Sequence, residues 1–95
     1  MIPVSLTAGD IAIGKPDSCV ECPAVYAVYR ALVASGWARN TSVLVYQHKL
    51  VINGYDIVIP QTLRAWARGY DREPATAEPV EFAFNPELRL KGLAA

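Results

Sequence analysis

The chain has 95 residues, 53% of them apolar, which suits one domain with a folded core and argues against disorder. Nine Lys plus Arg balance nine Asp plus Glu, removing both the basic footprint of a general nucleic-acid binder and the dense acidity of a nucleic-acid mimic. Two cysteines are too few to staple a secreted mini-protein.

The first segment, Ile2 to Thr7, reads as a short strand in which Val4 and Leu6 alternate with Pro3 and Ser5. Pro3 cannot donate to a ladder and marks an edge. This stretch lacks the basic region and extended apolar run of a signal peptide, and no later run approaches the ~20 apolar residues of a membrane helix. A cytoplasmic protein with reduced thiols is expected.

Thr7 can cap a single helical turn over Ala8 to Ile13, where Asp10 suits the positive end of a helix. Gly14-Lys15-Pro16 ends it. Two starts then compete for the main helix. Ser18 with Glu21 forms a capping box that would make Cys19 the first helical residue. Alternatively, Cys22 caps and Pro23 takes the first position. The second is favoured, with residues 18–22 forming a turn, because proline deep in a helix removes a hydrogen bond and clashes. Ala24, Ala27, Val28, Ala31 and Leu32 share one face, Gly36 stops the helix, and Trp37 is expected to pack back over its end.

From Thr41 the period changes to that of strands: Val43 to Tyr46, Leu50 to Ile52 and Tyr55 to Ile59. Asn53-Gly54 between β-branched runs is a strong hairpin signal, and a three-stranded antiparallel meander is predicted. Pro60 opens a second helix to about Tyr70, with Leu63, Trp66, Ala67 and Tyr70 on its apolar face. A loop from Asp71 to Pro79 leads to a last strand, Val80 to Phe84, ended by Asn85-Pro86. The predicted fold is α+β, in the order β-α-β-β-β-α-β. Its two helices cover one face of a mainly antiparallel sheet that the first and last strands extend. Residues 1–86 form the globular domain and 87–95 a tail expected to fray.

The chemistry-bearing motif is Asp17-Ser18-Cys19-Val20-Glu21-Cys22-Pro23. A C-x-x-C pair at a helix start can form a disulfide, and the helix dipole can lower a thiol pKa. The chain lacks the tryptophan before the first cysteine and the βαβ context of a thioredoxin site. Zinc takes four ligands, so Cys19 and Cys22 would need Asp17 or Glu21, or a second chain's thiols; His48 is the only histidine and sits in a turn. The simplest role for both cysteines is packing as small apolar side chains. No catalytic residue is assigned and no cofactor is expected, zinc at Cys19 and Cys22 being the one alternative.

Arg64, Arg68 and Arg72 repeat every fourth residue and share one helical face, usually a solvated one. Tyr29, Trp37, Tyr46, Trp66 and Tyr70 are many aromatics for so small a domain, and any that are exposed would mark a protein contact surface.

Three features taken together are Ile11-Ala12-Ile13-Gly14, the D-x-C-x-x-C-P motif at Asp17 to Pro23, and an alanine-rich helix with Arg30-Ala31-Leu32. With the meander, Pro60 before a helix, Trp66 to Tyr70-Asp71, and Glu81-Phe82-Ala83-Phe84, the chain resembles small uncharacterised proteins of bacteriophages and prophages of high-GC bacteria, over about residues 7 to 85. The resemblance implies a non-enzymatic accessory protein in the host cytoplasm that binds a host or phage protein, by analogy sometimes inhibiting a bacterial defence system. A metal or thiol-redox domain at the C-x-x-C pair is the alternative, and a nucleic-acid-binding accessory domain on the arginine row is the next. A homodimer through an open strand edge remains compatible with the sequence; no membrane partner is expected.

Overall fold

The computed structural model describes residues 1–90. β1 (Ile2–Leu6) leads into α1 (Ala8–Ile13), and a loop then reaches α2 (Pro23–Ala34). β2 (Val43–Val45), β3 (Lys49–Ile52) and β4 (Tyr55–Val58) follow, then α3 (Gln61–Arg72), a short 3₁₀ turn at Pro74–Thr76, and β5 (Val80–Phe84). The α+β class and the element order are those the sequence predicts. Among the described residues no helix is long and apolar enough to cross a membrane.

Local chemistry sets most boundaries. Thr7 and Asp10 form a reciprocal capping box at α1. Cys22 is the N-cap of α2 and Pro23 its first residue, so proline supplies a pre-set φ where its missing N–H costs nothing. Past the other end of α2, Gly36 adopts φ 101°, and Trp37 N–H reaches back to Leu32 O at 3.0 Å, closing a Schellman-type cap. Asn53 and Gly54, at φ 51° and 84°, make the two-residue turn that joins β3 to β4. Pro60 is the cap of α3 rather than its first residue, and the helix runs on to Arg72.

The strands form two sheets, not one. β1 pairs antiparallel with β5, Ile2 opposite Phe84 and Leu6 opposite Val80. The meander β2-β3-β4 is separate. Both of its outer edges are taken by irregular chain. Val45 N–H donates to Cys19 O at 2.9 Å on the β2 side. On the β4 side, Val58 N–H donates to Leu88 O at 2.9 Å and Leu90 N–H to Asp56 O at 3.0 Å. With both ladders occupied, β1 and β5 cannot extend the sheet. The same bonds place residues 88–90, part of the tail expected to fray, along β4; residues 91–95 lie outside the described residues.

One core joins the two sheets. Val4 and Leu6 of β1, Val28 and Leu32 of α2, Leu50 and Ile52 of β3, Ile57, Leu63 and Phe84 are all essentially inaccessible and belong to a single cluster. α2 packs on both β1 and β2, while α3 packs on β5.

Candidate binding cleft at the cysteine loop

The loop from Gly14 to Cys22 is shaped by close approaches that its sequence permits. A Cβ on Gly14 would fall 2.5 Å from the Pro23 ring, so only glycine lets the loop fold against the start of α2. Lys15 N–H donates to Glu21 O at 2.8 Å, closing the loop on itself. Ser18 Oγ accepts from Glu21 N–H at 2.9 Å, while the Glu21 carboxylate pairs with Lys15 at 3.2 Å; Ser18 therefore shapes the turn before the helix, and the proline starts the helix. Asp17 sits at φ 56° and its N–H donates to Asp71 Oδ1 at 3.2 Å, tying the loop to the last turn of α3. The third attachment is the Val45 N–H of β2, which donates to Cys19 O at 2.9 Å.

These ties enclose a cleft of about 220 Å³ between the loop, the end of β2 and α3. Cys19, Cys22, Tyr46, Trp66 and Tyr70 line it together with Asp17 and Asp71. Trp66 and Tyr70, one helical turn apart, stack with centroids 5.0 Å apart and planes 10° from parallel. Trp66 Nε1–H donates to Glu78 O at 2.7 Å, which fixes the indole. Tyr70 is buried, whereas Tyr46 is 40% exposed and forms the open side of the aromatic group. The Lys49 ammonium lies 5.8 Å from the Tyr46 ring centroid but is bound to Asp56 at 3.1 Å and does not line the cleft.

Electrostatics in the cleft oppose negative charge. Burial pushes the Cys22 thiol up; the N–H groups of Val25 and Ala24 pull the other way, and Asp71 and Cys19 add to the rise. The Tyr46 hydroxyl is pushed up, first by the neighbouring Cys19 side chain. Tyr70 is pushed up by burial, then by Cys22 and Asp71. Both cysteines are free thiols, Cys22 buried and Cys19 half-buried. At neutral pH Cys22 is protonated and a poor nucleophile.

In comparisons with protein-family models, curated proteins and solved structures, the chain matches none.

The structure thus brings together five of the residues singled out in the sequence: Cys19, Cys22, Tyr46, Trp66 and Tyr70. Others lie apart from the cleft. The Tyr29 hydroxyl donates to Arg39 O at 2.6 Å, and Trp37 packs against the core from the end of α2. Arg64 and Arg68 line a separate depression on α3, where Arg64 Nε is buried without a hydrogen-bond partner, and Arg72 is exposed. His48 is exposed in the β2–β3 turn. Among the described residues no group of three or more Cys, His, Asp and Glu side chains is placed to hold a metal ion.

Asp17 and Asp71 are the members of the cleft that sequence reasoning did not weigh as a pair. They are 54 positions apart, and the bond from Asp17 N–H to Asp71 Oδ1 ties them together in the folded chain.

Proposed function

We propose that this protein is a non-enzymatic accessory protein, of the kind carried by bacteriophages, that acts by binding a host or phage protein through the cysteine-loop cleft. The observation that carries this reading is the convergence of Tyr46, Trp66 and Tyr70 on one concave site with a polar rim. Aromatic side chains around a small pocket are the usual anchors of protein recognition. The phage setting comes from the resemblance in the D-x-C-x-x-C-P segment and the alanine-rich helix, and inhibition of a bacterial defence system is one role it would allow. The cysteines in this reading hold the loop in shape.

Tyr46 supplies the test because its ring is well exposed and the core does not depend on it. The tagged protein, incubated with lysate of a high-GC bacterial host, should enrich a specific protein. Tyr46→Ala should weaken that capture on the order of tenfold or more, while Arg68→Ala, off the cleft, should not. Enrichment of no partner, or equal capture by the Tyr46 variant, would sink the proposal.

A second reading, metal or thiol chemistry at Cys19 and Cys22, draws on their sharing this cleft. It parts from the first under two treatments. Capture should survive both a chelator and a reductant if the site is a docking surface, and be lost to one of them if bound metal or thiol redox chemistry is required.

A further inference from the structure

We propose that the occupant of the cleft is an arginine side chain of the partner protein, a deepening that rests on the docking role proposed above. Size is the first argument. About 220 Å³ is below the ~300–1,000 Å³ typical of pockets for whole small-molecule ligands, and it suits a single side chain.

Charge is the second. Asp17 and Asp71 both line the cleft, and no Lys, Arg or His is among its lining residues. Among the described residues neither carboxylate takes part in an ion pair. The other acids of the cleft feel this field, since Asp71 raises both Cys22 and Tyr70. A bound cation would relieve it; a bound anion would add to it.

Shape selects among cations. The half-buried Trp66 indole, backed by its stack on Tyr70, and the open Tyr46 ring offer flat π surfaces, on which a planar guanidinium stacks better than a compact ammonium. The carboxylates at the rim accept its forked N–H donors. Asp71 Oδ1 already takes the Asp17 N–H, which leaves its other oxygen and both of Asp17's for a ligand.

The test uses the full chain, labelled with ¹⁵N, titrated with N-acetyl-arginine methylamide and, separately, with the citrulline counterpart. Citrulline keeps the length and planarity of arginine and removes the charge. The arginine probe should give saturable shifts at the Trp66 indole N–H and at the amides of residues 17–19, 46 and 70, and citrulline should bind at least tenfold more weakly. Asp17→Asn and Asp71→Asn each should weaken the arginine probe about tenfold. Both retain the fold: asparagine tolerates the left-handed conformation at position 17, and at position 71 it keeps an oxygen for the Asp17 N–H. Their unperturbed spectra elsewhere would establish this. No saturable shift with arginine, equal binding of citrulline, or unchanged affinity in both variants would overturn the inference. The docking reading is judged separately, by whether Tyr46→Ala loses the captured partner. Capture that depends on Tyr46 but survives both Asp→Asn changes would leave docking standing and remove the cation.

Discussion

Asp10 is 3% exposed and carries a charge, so something must compensate it. Arg30 Nη1 donates to Oδ1 at 2.9 Å and Nη2 to Oδ2 at 2.7 Å, while Thr7 N–H donates to Oδ2 at 2.9 Å. Arg30 Nη2 also donates to Ser5 O at 2.9 Å, so one guanidinium joins β1, α1 and α2. The hydrogen bond from Arg30 is the largest cause of a carboxyl held below its usual value, against the opposing effect of burial. A depressed carboxylate gives stability that is complete above its unfolded pKa of ~3.9 and is lost as pH falls through the folded value. Arg30 itself is raised, so its contribution is fully present across the same range and does not alter the trend. Breaking a buried pair costs ~3–5 kcal/mol, but the Arg30 side chain is 52% exposed and screened by solvent. Arg30→Met should therefore cost about 2 kcal/mol at pH 7 by chemical denaturation. The gap from wild type should shrink as pH falls below ~4, and a gap unchanged between neutral and strongly acid pH would refute this account. Thr7-x-x-Asp10 is legible in sequence as a local cap, but Arg30, twenty positions on, carries no local signal for its role. The same holds for Asp17 and Asp71. Residues whose partners are near in sequence could be read; those whose partners are brought by folding could not.

Elements were legible wherever punctuation was strong, as at Cys22-Pro23, Gly36 and Asn53-Gly54. The exception is the loop before α2, whose purpose is set by distant contacts at Val45 and Asp71. Gly14 and Gly69 separate these two kinds of constraint. At Gly14 an added Cβ would meet Pro23 Cδ and Cγ at 2.5 Å, a distance no real contact tolerates, so the loop or the first turn of α2 must move. Gly14→Ala should cost about 2 kcal/mol, as overpacking does, and should disturb the cleft that the loop borders. Gly69 lies inside α3 with nothing within 4 Å of a built Cβ. Gly69→Ala should stabilise by about 0.5–1 kcal/mol, because alanine loses less backbone entropy in a helix. Thermal melts of the two variants therefore should move in opposite directions. A neutral Gly14→Ala would mean that the loop does not pack on α2 as described.

At the scale of the molecule, the strand order was readable but the division into two sheets was not, because it depends on which irregular segments take the meander's edges. The division has a consequence for folding. No ladder joins β1-β5 to β2-β3-β4, so cooperation between the sheets must pass through side-chain packing, beside the short segment after β5 that bonds to β4. α2 is the element placed to carry it, since it packs on both β1 and β2 and its Leu32 is wholly buried in the shared cluster. Leu32→Ala removes packing from the region between them and should cost about 3 kcal/mol. If the core unfolds as one unit, that loss appears equally in every amide exposed only by global opening. Native-state hydrogen exchange is the measurement. The most protected amides of β1 and β5 and those of β3 should lose protection by the same factor, about a hundredfold for a loss of that size. A large loss in one sheet with little in the other would mean two separately opening units, and α2 would belong to only one of them.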